Sequence, residues 1–413
     1  MNVIRSSLTF PEPSARPGQA PDLTEFDFVA AGEVPVPSLD MRAEDSRVGE
    51  RDLVRVLDET GKAVGPWTDL VAEVADADAL LRGLKDIMRM RAVDRRLLTA
   101  QRQGKTSFYL QCTGEEAIGC AFQRRLTRAD MNFPTYRQQS LLIGADYPLD
   151  QLMGQVYSNA ADPLNGRQLP IMHSAREHGF FSISGNLGTQ FVQAVGWAMA
   201  NALRGDGGIA AGWIGDGATA SNDFHAALLT ASVYKPPVIL CIVNNQWAIS
   251  TFTGLAVGAG GTLAARSLGY GLPALRVDGN DYLAVTAASE WALRRVRGGH
   301  GPVVIEWVTY RVAAHSTSDD PGAYRPRDEP AVWPLGDPVE RLKSHLIELG
   351  SWSNERHTQY EAEVDEEVRE VQRTVEAMGT MIDPRPVSPS MMFENVYANP
   401  PEHLLRQRQE AGY

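Results

Sequence analysis

The stretch from Gly215-Asp216-Gly217 to Asn244-Asn245 constrains the fold more than any other. It lies inside WIGDGATASNDFHAALLTASVYKPPVILCIVNNQWAIS. The apolar run 209–214 reads as a buried strand. Beyond Gly217, the residues Phe224, Leu228, Leu229 and Val233 recur at helical spacing and predict one apolar helix face. Lys235-Pro236-Pro237 ends that helix. The run 238–243 is a second buried strand, with the asparagine pair at its carboxyl end. A strand-helix-strand unit crosses over with a right hand, which brings both strand ends to the same edge of a parallel sheet.

Ligands of open α/β sheets bind beyond the carboxyl ends of the strands. There Asp216 and Asn245 offer two hard oxygen ligands about one strand spacing apart, and the backbone carbonyl of Trp247 supplies a third. Magnesium takes octahedral oxygen coordination and completes it with phosphates and water. Gly215 and Gly217 let a diphosphate approach the backbone, and the helix that follows favours anions at its N-terminus. GDG or Asn-Asn alone is a common turn. The pair separated by about 26 residues and joined by strand, helix and strand is far more specific.

Composition narrows the class. A chain of 413 residues can bury one large α/β core or two smaller ones. A net charge of −12 argues against nucleic acid and anionic membrane as partners. Cys112, Cys120 and Cys241 have no metal or redox spacing, which fits a reduced, cytoplasmic chain, and Cys241 reads as a core residue. The start lacks the apolar region of a signal peptide, and no apolar run approaches membrane-spanning length.

The rest divides into three parts. Residues 1–75 read as an extended N-terminal arm and a small strand pair. Phe10, Phe26, Phe28, Val29, Val34 and Val36 suit an arm laid over a surface such as a neighbouring subunit. Residues 76–335 form the α/β domain, and 336–413 a helical C-terminal segment. The α/β part opens with a helix capped by Asp76, whose apolar face holds Leu80, Leu84 and Ile87. Its basic residues Arg89, Arg91, Arg95 and Arg96 are expected to face solvent. A short strand over 107–110 and a helix capped by Thr113 follow. The strand 131–133 places Tyr136 and Arg137 on the functional edge, where an arginine suits phosphate geometry. The polar loop 159–182 is of the length and irregularity that functional loops show. His173 within it is expected at the surface, with the site as the alternative. Gly196, Ala198 and Ala200 would permit close helix packing, and 251–266 reads as a loop. After the strand 302–310, His315 is the best acid/base candidate, since its ordinary pKa lies near neutrality.

The GDG to Asn-Asn spacing resembles the thiamine-diphosphate motif. Four further stretches resemble the α subunits of 2-oxo acid dehydrogenase E1 components, over roughly residues 75–400. They are the run around SFYLQCTGEEAIG, Tyr136-Arg137, ISGNLGTQ, and Tyr310-Arg311 followed by HSTSDD. SFY and HSTSDD are closer to the branched-chain members than to the pyruvate or acetoin members. The resemblance implies a thiamine-diphosphate fold, a mostly parallel sheet flanked by helices. It assigns the cofactor diphosphate to Tyr136, Arg137, Gly217 and Ala218, and Mg2+ to Asp216, Asn245 and the Trp247 carbonyl. Gly185 and Leu187 would lie beside the aminopyrimidine. Ser184, Asn186, Thr189 and Gln190 would enclose K+. His315 would sit by the cofactor and assist transfer to a lipoyl group, with Arg311 at the diphosphate end. Phe108, Tyr136 and Leu187 would form the apolar substrate pocket. Val243 stands where the family often has an arginine, and Gly185-Asn186 where branched-chain members often have Ser-Pro. Ser316 matches a serine that a kinase phosphorylates in mitochondrial relatives, and Pro326 stands at their second phosphorylation position.

The remaining length cannot house a second α/β domain to hold the pyrimidine with its glutamate. In the family that half belongs to the β subunit. The implied protein is therefore half of an α2β2 heterotetramer. It would decarboxylate acids such as 2-oxoisovalerate and pass the acyl group to an E2 lipoyl acyltransferase core. A nicotinamide oxidoreductase is the remote alternative. It would need a GxGxxG turn after a strand, whereas Gly205-Asp206-Gly207-Gly208 precedes one.

Overall fold

The structure is a computed structural model that describes residues 8, 11–258 and 261–413. Its centre is a five-stranded, all-parallel sheet in the order β1-β2-β3-β7-β6. The strands are β1 (Met131–Phe133), β2 (Ala210–Gly215), β3 (Val238–Asn244), β6 (Ala274–Asp278) and β7 (Val303–Val308). A two-residue pair, β4 (Trp247–Ala248) and β5 (Thr251–Phe252), stands apart as an antiparallel turn. The helices are α1 (Thr68–Val74), α2 (Ala77–Arg102), α3 (Glu116–Gln123), α4 (Gln139–Gly144), α5 (Leu149–Tyr157), α6 (Thr189–Arg204) and α7 (Asn222–Tyr234). They continue with α8 (Thr253–Val257), α9 (Ala265–Leu268), α10 (Tyr282–Arg297), α11 (Pro338–Glu348), α12 (Asn354–Glu376) and α13 (Glu402–Glu410). No helix among the described residues is long and apolar enough to cross a membrane.

Both faces of the sheet are covered, as a parallel sheet requires. Side chains alternate across a strand, so β3 sends Ile239, Cys241 and Val243 to one core, and Val238, Leu240 and Ile242 to the other. The first core includes α2, α3 and α10 and reaches α12. The second is closed by α6 and α7. All three cysteines are buried and free. The close approach of α6 needs Gly212, where an added Cβ would lie 3.0 Å from that of Ala194.

Several local expectations are corrected. The Phe224 and Leu228 side chains of α7 are buried, but Leu229 and Val233 are exposed; the inner face is completed by Ala227 and Ala231. Gly196 faces open space, so Ala194 and Ala198 carry the packing of α6. The arginines of α2 are not simply solvated. Arg89 and Arg95 pair with Glu367 and Asp365 of α12, and Arg91 joins Glu116 and Asp337. Residues 107–110 form no strand; they are irregular and tied to Thr317 through Tyr109. Asp76 does cap α2, accepting from the Ala79 amide. Thr113 does not cap α3: its hydroxyl donates to Asp94, and Glu115 is the capping position. Residues 251–266 carry β5 and α8 rather than only loop.

The arm lies over its own chain. The indole of Trp67 donates to the Val34 carbonyl and that of Trp291 to the Pro37 carbonyl. Arg295 reaches the carbonyls of Leu39 and Met41. Val54 pairs with β6 through Asp278 and Arg276, which covers that sheet edge. The small strand pair expected within 1–75 reduces to one bridge, Leu57 to Ala63, around Gly61. Phe26 packs on Trp333, and Phe10 lies outside the described residues.

Candidate active site

The segments that leave β1, β2, β3 and β7 converge beyond the carboxyl edge of the sheet. They line one cavity of about 310 Å3 with Tyr136, Arg137, Gly215, Asp216, Gly217, Ala218, Asn245, Trp247 and His315, while Leu187 and Glu115 come from elsewhere in the chain. A second cavity of about 270 Å3 lies beneath the arm, between Phe26, Phe28 and Phe252. It shares Trp247 with the first but has neither Asp216 nor Arg137, so the strand-end chemistry belongs to the first.

The backbone ladder continues past the strands and fixes this arrangement. The Asp216 amide donates to the Val243 carbonyl at 3.1 Å, and the Arg311 amide to the Asn245 carbonyl at 3.1 Å. Asp216 is 3% exposed. Its Oδ1 accepts from the Gly217 amide at 2.7 Å, while its buried Oδ2 has no partner. Burial pushes this carboxyl up to about 6, against the pull of the Gly217 amide and Arg311. An unpartnered buried carboxylate oxygen is costly, and a bound cation would remove that cost. Asn245 Nδ2 donates to Glu115 Oε1 at 2.6 Å, and its Oδ1 accepts from the Trp247 amide at 3.3 Å. The residues present therefore fit a hard cation.

The phosphate side fits as well. A Cβ on Gly215 would meet nothing within 4 Å, so the strand end leaves open space. A Cβ on Gly217 would lie 2.3 Å from that of Ala248, so only glycine lets β4 close over the turn. The chain then makes a 3₁₀ turn, Gly217–Ala220, before α7 starts at its cap Ser221. The α7 N-terminus is thus set back from Asp216. Arg137 is buried, and its guanidinium donates to the carbonyls of Gln111 at 2.5 Å and His315 at 2.8 Å.

His315 Nδ1 faces the guanidiniums of Arg137 at 3.3 Å and Arg311 at 3.5 Å. Burial, then those two cations, push its pKa down to about 3. The ring is neutral near pH 7, and donors facing Nδ1 leave the ring proton on Nε2. Arg311 is 1% exposed and does not line the cavity. Its donors go to the carbonyls of Trp247 at 2.7 Å and Ile249 at 2.9 Å, and to the Tyr324 hydroxyl at 2.6 Å. It is a strut behind the wall that also holds the carbonyl expected to face the metal; a carbonyl oxygen has two lone pairs and can serve both.

The turn before α6 is rich in oxygen. Gln190 Nε2 donates to the Ser184 carbonyl, the Asn186 amide to Ser184 Oγ, and Thr189 Oγ1 to the Asn186 carbonyl. Gln190 Oε1 is buried without a partner, which suits a monovalent cation held by these oxygens. Gly185 is exposed beside it. Leu187 and Tyr136 both line the cavity, whereas Phe108 packs against the larger core and does not. Sequence reasoning missed Glu115, Ala248 and Ile249 as lining residues. The stretch from Thr113 to Glu116 predicts only a helix start, and nothing local distinguishes its two glutamates. It also misplaced His173, which is 2% exposed with an unpartnered Nε2 and is not among the cavity's lining residues.

A family profile described as "Dehydrogenase E1 component" matches residues 85–382. A second, "2-oxoisovalerate dehydrogenase E1 alpha subunit N terminal", matches residues 5–44. The chain is 55% identical over 405 residues to the 2-oxoisovalerate dehydrogenase subunit alpha of Pseudomonas aeruginosa, covering 98% of each chain. It is 36% identical to the mitochondrial 2-oxoisovalerate dehydrogenase subunit alpha of Mus musculus, covering 86% of this chain and 79% of that one. With the Caenorhabditis elegans mitochondrial counterpart it shares 38% identity over 81% of this chain and 76% of the other.

Proposed function

The chain belongs to the dehydrogenase E1 component family, in the branch of the 2-oxoisovalerate dehydrogenase α subunits, and from that premise we propose how its site works. The protein is an E1 α subunit of a branched-chain 2-oxo acid dehydrogenase, acting with a β subunit on acids of the 2-oxoisovalerate type. In our reading it uses thiamine diphosphate and Mg2+, is assembled as α2β2, and delivers its acyl product to the lipoyl group of an E2 core. The observation that carries the metal reading is the unpartnered, buried Asp216 Oδ2, one strand from Asn245 on the wall of a cavity that also holds Arg137.

When bound, thiamine diphosphate supplies the carbanion and the electron sink for decarboxylation. The chain's own residues bind and orient. Asp216, Asn245 and the Trp247 carbonyl would hold the metal, and the metal the diphosphate. Arg137, fixed by two carbonyls, places a permanent positive charge on the same side. Gly215 leaves room for phosphate oxygens. Leu187, Ile249 and Tyr136 give the outer cavity an apolar wall. An apolar pocket separates single methylenes only weakly, so several branched 2-oxo acids should be accepted. His315 presents a neutral ring whose Nε2–H can donate to a developing oxyanion, or to the thiolate that leaves as a lipoyl disulfide is opened. Ser184, Asn186, Thr189 and Gln190 would hold K+ and so stiffen the turn that carries Leu187. The cavity-lining acids among the described residues, Glu115 and Asp216, both sit at the metal end. The glutamate that activates the pyrimidine would therefore come from the β subunit.

Calorimetric titration of the assembled tetramer with thiamine diphosphate tests the cofactor reading. Binding should require Mg2+ and vanish with a chelator. Equal binding without a divalent cation would contradict the role given to Asp216 and Asn245.

A further inference from the structure

Glu115 is absent from the roles so far assigned, yet it touches two of the residues that bear them. It sits at the start of α3, where its side chain does not cap the helix. It is 4% exposed and lines the cavity. Its Oε1 accepts from Asn245 Nδ2 at 2.6 Å and lies 3.7 Å from Arg137 Nε. The neighbouring Glu116 is occupied otherwise, by Arg91 and the Gly114 amide.

An asparagine amide has a donating and an accepting end, and only the oxygen can ligate a cation. A carboxylate accepts hydrogen bonds and does not donate them. The Glu115 carboxylate therefore claims the NH2 end of Asn245 and turns Oδ1 the other way. Without it only the longer bond from the Trp247 amide to Oδ1, at 3.3 Å, would favour that orientation.

We propose that Glu115 is a positioning residue that fixes the Asn245 amide with its oxygen toward the metal, while its pairing with Arg137 holds the diphosphate-binding guanidinium alongside. The inference rests on the metal-site reading given above. Partners that orient a ligand in this way are worth about 10–100-fold in metal affinity.

The experiment uses the assembled α2β2 protein. The Mg2+ dissociation constant is measured at saturating thiamine diphosphate through tryptophan fluorescence, with the melting temperature of the metal-free tetramer as a control for folding. Glu115→Ala should weaken Mg2+ by about 10–100-fold. Glu115→Gln keeps an acceptor for Asn245 Nδ2 and should recover most of that loss. In an Asn245→Asp background both ends are oxygens, so Glu115→Ala should no longer weaken Mg2+. An equal loss in both backgrounds would overturn the proposal, as would a Gln variant as weak as the Ala variant. Should Glu115→Ala fail to assemble, Glu115→Leu, of similar size and without an acceptor, takes its place in both backgrounds. A wild-type tetramer that binds thiamine diphosphate without Mg2+ would instead remove the metal-site reading on which the proposal rests.

Discussion

Asp216 and His173 are both buried, and both have an atom without a partner, yet they play opposite parts. Asp216 lines the cavity, and its bare oxygen fits a ligand. Replacing it with alanine should cost more Mg2+-dependent cofactor binding than the ~10–100-fold of losing an orienting partner, measured by the same titration. His173 is not among the lining residues of that cavity, and burial alone pushes its pKa down to about 3. In the unfolded chain it takes up a proton near the ordinary value of 6.5. Stability that depends on burying the neutral ring is thus whole above that value and lost progressively as pH falls toward 3. Between pH 7 and pH 5 the loss should be about 2 kcal/mol. Urea unfolding of the tetramer at the two pH values should show that His173→Asn is less sensitive to acid than the wild type. Equal sensitivity would mean that the ring is not held neutral.

At the scale of elements, two glycines should respond in opposite directions. Gly119 of α3 lies where a Cβ would come 2.1 Å from Ser140 Oγ and 2.8 Å from the Leu141 amide. Gly119→Ala should therefore destabilise by about 1–3 kcal/mol through overpacking of α3 on α4. Gly196 of α6 faces open space, and Gly196→Ala should stabilise by about 0.5–1 kcal/mol, because alanine loses less backbone freedom. Melting curves separate the two. The contrast also shows why small residues in a helix cannot be assigned to packing from sequence alone, since their facing depends on partners distant in the chain. What periodicity and punctuation determine was legible: β1 and β3, the Asp76 cap, and the strand-end positions of Asp216, Asn245 and His315. What long-range partners determine was not. The segment 107–110 is held by Thr317 rather than by a neighbouring strand, and Arg89 and Arg95 of α2 are claimed by α12, more than 200 residues away. Glu115 belongs to the same group, because its meaning comes from Asn245, 130 residues further on.

At the scale of the molecule, the proposed reading makes the sheet edge a half-site: this chain would supply the metal and diphosphate end, and the cavity's apolar mouth is framed by Leu187 and Ile249, both exposed. The long charged helix α12 lies against α2 and α5, tied by Lys105 and Tyr157 to Glu376, and none of its residues lines the cavity. A chain so arranged should bind its cofactor productively only when a second subunit closes the pyrimidine end. The most direct measurement is 2-oxoisovalerate-dependent dye reduction with thiamine diphosphate and Mg2+, on this chain alone and after co-purification with its β partner. The account predicts turnover only in the paired sample, with branched 2-oxo acids preferred over pyruvate. Turnover by the isolated chain would contradict it, because a complete catalytic site would then lie within these 413 residues.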